Sequence, residues 1–541
     1  SLPIPIDQKM IILKKCLMAS SRSDSSKFKT WIESLLSIPF GKFSDTNANN
    51  IKKNKIGKLL DKVKETMDGA VWGHDEAKRH IIQILGQHFR NPNAKGNNIG
   101  IWGPPGNGKT TIIKDGIAKV MGKPFIFISL GGVSDSAYLD GHSYTYEGSV
   151  HGRIVNSLIT AKCMDPIIYF DELDKVSKTN KGTEIINLLI HITDPVQNSL
   201  FRDKYFHGID IDLSKVTFIF SYNDPSLIDK VLLDRIFQIE TKYLLLNQKI
   251  YIAENYLIPS IMVEMGLDKD SIILSNENIE YIIEKYTNEG GVRKLKNIFY
   301  TIIRELNVSN LTGTKFNNKK IKFPYEITND DIKLILKNKN EITIDKISSK
   351  NKSGVINGMF ASSNGVGGIL PIEIMWIPAK NPLEIKSTGN LQLIIKESVD
   401  VAATLAFNCL DIKIQNKYLE EWVTKPKGLH VHCPDGSVPK DGPSAGTALT
   451  VAIYSLLVNK HVRNDIAITG EINLQGNVTA IGGLENKLEG AKKAGITMAL
   501  YPTQNEKDII KIKERNPNLI DETFNVNPIS TIKEALDFSL V

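Results

Sequence analysis

The sequence predicts a multidomain α/β protein: a helical stem, a P-loop α/β domain with a helical lid, and a second α/β domain. Three observations carry this. "GPPGNGKT" (103–110) sits between an apolar β-type run and a helical stretch. From about residue 98 to 240, short apolar runs alternate with longer helical ones, the mark of buried parallel strands covered on both faces. After about 354 the chain is α/β again, with Gly-rich turns and a different set of motifs. At 541 residues it exceeds what one core supports, and roughly three or four domains are expected.

In chain order, residues 1–66 read as a helical stem with polar breaks, including "SKFKTWIESLLSIPF". Residues 67–242 form the P-loop domain, with strand runs "NIGIW" (98–102), "PFIFISL" (124–130), "PIIYF" (166–170), "VTFIFS" (216–221) and "RIFQIE" (235–240). Residues 243–312 return to amphipathic helix as a lid, 313–353 is a polar Asn/Lys-rich linker, and 354–541 is the second α/β domain. Composition is globular, 41% hydrophobic and 23% charged, with no apolar run near the ~20 residues a membrane span needs. The net charge of +7 comes from scattered Lys and Arg. A nucleic-acid partner is therefore left open, without the basic stripe that would argue for it. Cys16, Cys163, Cys409 and Cys433 form no CxxC pair, which suggests reduced thiols in an intracellular compartment. "SLPIPIDQKM" resembles neither a signal peptide nor a transit sequence. Cytoplasm is the expected location, or the mitochondrial matrix if a targeting peptide was trimmed.

The P-loop comprises Gly103, Pro104, Pro105, Gly106, Asn107, Gly108, Lys109 and Thr110. Gly106 and Gly108 let backbone N–H groups turn toward phosphate at a helix N-terminus. Lys109 should reach the β- and γ-phosphates of ATP, and Thr110 should ligate Mg²⁺. "PIIYFDELDK" ends a strand on Asp171 and Glu172, suited to holding hydrated Mg²⁺ and to orienting the attacking water. Asn223, in "FSYND", can position that water, or simply form an Asx turn. Arg235 in "LLDRIFQIE" and Arg293 in "GGVRKL" are candidates for the γ-phosphate, with surface ion pairing as the alternative. An arginine delivered by a neighbouring subunit implies an oligomeric ring.

In the second domain, "HCPDGSVPKDGPSAG" exposes Ser444 at the start of a helix, as a nucleophile or as an N-cap. His430 and His432 alternate with Val431 as on a strand and so share a face. They are candidate bases or paired structural histidines. Far downstream, "GGLENKLEGAKKAGI" reads as a helix whose apolar stripe is Leu484, Leu488, Ala491 and Ala494. Lys487 falls inside that arc and Lys493 opposite it. A buried lysine loses basicity and can serve as a general base, whereas a snorkelling lysine stays an ammonium. The pattern leaves both readings open.

The order of P-loop, Asp-Glu box, Asn223, Arg235 and a lid carrying Gly-x-Arg resembles the AAA+ ATPases. "FISLGGVSDSAYLDGHSYTYEGSVHGRI" (127–154) is similar to the Lon protease family's segment between the two Walker motifs. "PKDGPSAG" followed by "TGEINLQGNVTAIGGLENKLEGAKKAGI" resembles that family's proteolytic domain, including the spacing of its Ser-Lys dyad. The resemblance spans roughly residues 27 to 541, with the large N-terminal domain absent.

It implies Ser444 as nucleophile and Lys487 as general base and acid, with Thr469 and Glu471 supporting the lysine. Asp441 and the backbone around Ser444 shape the site, and the two histidines lie nearby without being the base. Tyr146 becomes a pore tyrosine that grips unfolded polypeptide. The implied activity is ATP-dependent serine endopeptidase action on unfolded or misfolded proteins by a soluble homohexamer. The alternatives are an ATP-driven unfoldase with an idle protease domain, and a nucleic-acid-linked ATPase. Two departures stand out. Glu147 follows Tyr146 where the family usually has an apolar residue. "GMFASSNGVGGILPIE" (358–373) carries Phe360 where a Trp is usual and inserts residues, a departure that bears on cleavage preference.

Overall fold

The apolar runs of the P-loop domain become strands: β1 (Ile99–Trp102), β2 (Phe125–Ser129), β3 (Ile167–Asp171), β4 (Thr217–Tyr222) and β5 (Phe237–Glu240). They pair in the order β2-β3-β4-β1-β5, every pairing parallel. Ile167 and Tyr169 of β3 join Ile99, Ile113 and Ile117 in one core, while Ile168 and Phe170 join Phe218, Phe220 and Leu189 in another. Both faces are covered, which is why these runs are apolar throughout rather than alternating. The computed structural model describes residues 2–20, 25–44, 56–91, 98–146, 148–317, 319–342, 349–362, 365–434 and 439–541. The chain divides into two compact units, Ser1–Ile283 with Glu289–Lys337 and Glu284–Asn288 with Asn338–Val541.

The stem region holds helices Ile6–Ser20, Ser25–Ser37 and Ile56–Ala70. The third helix crosses the expected boundary at 66. Its Val63 and Met67 are buried with Ile113 and Ile117 of the segment after the P-loop, so by packing it belongs to the ATPase core. That segment is α-helical at Lys109–Thr111, π-helical at Ile112–Ala118 and α-helical again at Lys119–Met121. The lid includes helices Leu246–Ile252, Ile258–Glu264 and Arg293–Thr312.

The expected linker at 313–353 is structured over much of its described length. Tyr325–Glu326 pairs with Ile272–Ile273, helix Asn329–Ile335 follows, and Phe316, Ile321, Ile327 and Ile332 are buried. The polar Asn and Lys residues dominate the composition there, but sparse apolar residues at intervals suffice to pin the stretch against the lid.

The second unit is built on a sheet of β6 (Val355–Ala361), β7 (Gly367–Pro378), β8 (Ile385–Thr388), β9 (Lys427–His432), β10 (Ile466–Ile468), β11 (Met498–Pro502) and β12 (Asn525–Ile529). Its order is β8-β9-β7-β6-β10-β11-β12. The β6–β7 and β7–β9 pairs are antiparallel, and β6, β10, β11 and β12 run parallel. Helices Leu393–Asn408 and Gly446–Val458 pack on one face with Ile466 and Ile468. Helix Leu484–Ala494 packs on the other with Ala467 and Met359. The chain leaves β10 at Thr469, between the two layers, so groups from both can meet there.

Candidate active sites

In the first unit, one cavity of about 450 Å³ gathers most of the residues named for nucleotide chemistry. Its lining includes Lys109, Thr110, Asp171, Glu172, Asn223 and Arg293. That volume lies in the usual range for small-molecule sites. Lys109 Nζ donates to the carbonyls of Gly103 (2.7 Å) and Pro104 (2.9 Å) and to Asn223 Oδ1 (2.9 Å). Burial lowers its pKa to about 8, against the pull of Asp171 and Asp174.

Asn107 ties the loop to the exit of β5, donating to the Thr241 carbonyl (3.0 Å) and hydroxyl (2.9 Å). The lid seats directly on the loop. The Val292 N–H donates to the Gly106 carbonyl (3.0 Å), and a Cβ on Gly291 would stand 2.4 Å from Gly106 C and from the Pro105 carbonyl oxygen. Arg293, the next residue after Val292, begins the helix at that contact.

Asp171 Oδ1 accepts from the Tyr169 hydroxyl (3.0 Å), the Ser221 hydroxyl and the Glu172 N–H (3.0 Å). Oδ2 takes no hydrogen bond among the described residues. Thr110 Oγ1 lies 3.2 Å from the same Tyr169 hydroxyl. This set of hard oxygens fits a nucleotide-bound Mg²⁺, with Asp171 and Thr110 as its holders. Glu172 adopts a left-handed backbone (φ 61°), and its carboxylate occupies the space that a side chain on Gly131 would fill.

Arg235 is not at this cavity. It pairs with Asp194 at 2.6 Å, the ion pairing that the sequence left as its alternative. Tyr146 stands on an exposed loop, 69% accessible. The preceding Tyr144 packs edge-on against Trp31 and Tyr205, and Trp31 Nε1 donates to the Tyr205 carbonyl (3.0 Å). Buried Asp203 holds the loop's base by accepting the Gly152 N–H (2.7 Å), and burial raises its pKa to about 7. Glu147 lies outside the described residues.

In the second unit, Ser444 sits in a short turn, Pro443–Ala445, entered through Gly442 at φ 115°. The helix that follows is preceded by Ala445, and no side chain caps it. The N-cap reading of Ser444 is therefore not what the structure holds. The Ser444 carbonyl accepts from the Gly470 N–H (2.8 Å) and from Thr469 Oγ1 (3.4 Å). Lys487 Nζ donates to Thr469 Oγ1 at 3.1 Å. Thr469 thus links the serine turn to the lysine; no hydrogen bond joins Ser444 to Lys487 directly among the described residues. Lys487 is 4% exposed, and burial alone lowers its pKa to about 8. Helical phase put it among Leu484, Leu488, Ala491 and Ala494, and all four are buried with it.

Four residues named for this site make no hydrogen bond to Ser444 or Lys487 among the described residues. Glu471, paired with Thr479 on a two-stranded hairpin, is exposed and makes no hydrogen bond or ion pair with Lys487 among the described residues. Asp441 accepts the Ile394 N–H (3.1 Å) at the start of helix Leu393–Asn408, where a carboxylate meets the positive helix end. His430 and His432 do share a face, but both engage the Thr388 hydroxyl, at 3.0 and 2.8 Å. Thr388, Thr241, Asp194 and Asp203 had no sequence signal. Trp72, His74, Tyr256 and Leu257, which line the far side of the nucleotide cavity, were missed too. Only the helix break before Asp75 hints at that group.

A P-loop ATPase domain with its lid and an α/β domain whose serine turn is linked through Thr469 to a buried lysine define the class. Three family profiles match: "ATPase family associated with various cellular activities (AAA)" over residues 99–243, "Lon protease AAA+ ATPase lid domain" over 263–320, and "Lon protease (S16) C-terminal proteolytic domain" over 326–541. Among curated proteins, the chain is 37% identical to a "Lon protease homolog" of Acanthamoeba polyphaga mimivirus, covering 98% of this chain and 57% of that one. It is 35% identical to "Lon protease" of Helicobacter pylori (strain J99), covering 96% and 66%, and to that of Malacoplasma penetrans, covering 95% and 62%. The chain belongs to the Lon protease family. It spans about three-fifths of the length of these relatives. No helix among the described residues is long and apolar enough to cross a membrane.

Proposed function

We propose that the chain is an ATP-dependent serine endopeptidase that unfolds, threads and degrades protein substrates. The observation that carries this reading is the buried Lys487 joined through Thr469 to the Ser444 turn, in one chain with a P-loop cavity.

In the peptidase step, uncharged Lys487 takes the proton from Ser444 Oγ as that oxygen bonds to the peptide carbonyl carbon. Backbone N–H groups at the start of helix Gly446–Val458 face the tetrahedral oxyanion. Collapse breaks the C–N bond, and Lys487 returns its proton to the leaving amine. A water, deprotonated by the now neutral Lys487, then attacks the Ser444 ester carbonyl; the acyl C–O bond breaks, Lys487 returns that proton to Ser444 Oγ, and the acid product leaves. Thr469 keeps Lys487 aimed at the serine turn.

In the ATPase step, Lys109 and the P-loop N–H groups hold the phosphates of ATP. Thr110 and Asp171 would hold Mg²⁺, which would neutralise charge on the phosphate oxygens. Glu172 and Asn223 orient the attacking water, Arg293 senses the nucleotide from the lid, and Arg235 reaches a neighbouring protomer in a homohexamer. Tyr146 grips the unfolded polypeptide. The four free cysteines support a reducing compartment, cytoplasm or mitochondrial matrix.

A second reading, an unfoldase with an idle protease domain, draws on the lack of a direct Ser444–Lys487 hydrogen bond. Both are tested by incubating an unfolded protein with ATP and comparing the parent with Ser444→Ala and Glu172→Gln. Loss of degradation in both variants, with ATP hydrolysis kept in Ser444→Ala, is the expected result. Degradation persisting in Ser444→Ala sinks the dyad; a parent that hydrolyses ATP without cleaving favours the unfoldase.

A further inference from the structure

Helix Leu484–Ala494 meets the sheet without any side chain between them at one point. A Cβ built on Gly367, the first residue of β7, would stand 1.8 Å from the Asn486 carbonyl oxygen and 3.0 Å from the Lys487 nitrogen. A Cβ on Gly490 would stand 2.2 Å from Gly367 C and from Gly368 N. Neither glycine has a positive φ, so backbone conformation does not require them; space does. The atoms in the way are main chain, which cannot rotate aside. Gly490 is also in a helix interior, where glycine is otherwise disfavoured. The neighbouring Gly368 lies under the ring of Phe360, its cross-strand partner, 2.6 Å from where a Cβ would sit. The segment whose sequence departs from the family pattern is thus the seat of the lysine helix.

Lys487 lies within the turn that makes this contact. Its nitrogen bonds the Gly483 carbonyl (3.1 Å), and its side chain runs from there to Thr469. The depth of its Cα above the sheet is therefore set by direct main-chain contact.

We propose that Gly367 and Gly490 are positioning residues for Lys487: their main-chain contact holds the lysine at the depth from which it serves Ser444. This rests on the Ser444–Lys487 reading above. A displacement of order one ångström at a general base costs on the order of 100-fold in rate.

The test uses the full chain, with cleavage of a short fluorogenic peptide followed against pH, ATP hydrolysis followed in parallel, and thermal unfolding recorded. Gly490→Ala and Gly367→Ala are expected to lower kcat on the order of 100-fold with KM nearly constant. The acid limb of the profile should move to higher pH as the displaced ammonium gains water, and ATP hydrolysis should hold. Gly482→Ala is the control, since nothing lies within 4 Å of a Cβ there. Leu488→Val trims side-chain packing beside Lys487 but leaves the glycine contact. It should lower the unfolding temperature and leave the acid limb in place, and it keeps the idea open to refutation if alanine at 490 or 367 prevents folding.

Parent-like kcat and acid limb in a folded Gly490→Ala, or an acid limb that moves in Leu488→Val, overturns the proposal. Cleavage surviving in Lys487→Ala instead overturns the dyad on which it rests.

Discussion

Lys109 and Lys487 make a matched pair with opposite surroundings. Lys487 is buried and Lys109 half-buried, and in both desolvation brings the pKa from 10.5 to about 8. Lys109 is held by two carbonyls and an amide oxygen, with Asp171 and Asp174 drawing its pKa back up. Lys487 has one hydroxyl and no charged group acting on it. The difference is one of protonation under load. Arriving phosphate oxygens favour the ammonium of Lys109, whereas nothing around Lys487 favours charge, so it can surrender and retake a proton.

The sharpest way to break the comparison is to remove each amine. Lys487→Met should reduce peptide cleavage on the order of 10⁴-fold while ATP hydrolysis persists. Lys109→Met should abolish ATP hydrolysis while Ser444 remains competent toward a short peptide. Separate assays of the two activities decide it, and a shared loss in both variants would erase the distinction.

Next in size is pH. Peptide cleavage should fall about tenfold per unit below roughly pH 8, as Lys487 gains its proton. ATP hydrolysis should show no limb there, because bound phosphate keeps Lys109 charged. Parallel pH–rate profiles check this.

A smaller effect is expected at the lid. Gly291→Ala forces a methyl against Gly106 and Pro105 main chain, levering Arg293 away from the cavity. The KM for ATP should rise on the order of tenfold, with short-peptide cleavage little changed.

The smallest is in stability. The pKa of Lys487 is lower in the folded protein than the unfolded value, so the unfolded chain binds more protons between about pH 8 and 10.5. Parent stability therefore rises with pH across that window, and below pH 8 the folded state carries a penalty of about 3 kcal/mol. Lys487→Met removes the penalty but leaves Thr469 without its donor. A net gain of about 1–2 kcal/mol at pH 7, shrinking toward pH 10.5, is expected in urea unfolding of the second unit.

Much of this was legible in the sequence where one period or one loop chemistry dominated. The buried runs around Ile99, Ile167 and Ile219 announced parallel strands, and "GPPGNGKT" announced its own turn. Helical phase alone put Lys487 with Leu484 and Leu488. What stayed hidden depends on direction and distance between remote segments. Glu471 and Thr469 are two residues apart, yet among the described residues only the threonine bonds Lys487. Asp441 was expected only to shape the Ser444 site, and that its carboxylate meets the start of helix Leu393–Asn408 could not be read from spacing. The 313–353 stretch looked like a linker because Lys and Asn outnumber Phe316, Ile321 and Ile332. Gly367 looked like part of an insertion; only the fold shows what it touches.

The nucleotide loop has a consequence for work output. It is fastened on one side by Asn107 to Thr241 and on the other by Val292 to Gly106. A loop suspended between two anchors meets its ligand already shaped, so little of the binding free energy is consumed in ordering it. The remainder is available to move whatever hangs from the second anchor. Because that anchor is the lid itself, any shift of the Gly106 carbonyl passes to helix Arg293–Thr312 as a rigid lever, without a flexible joint between phosphate and motion.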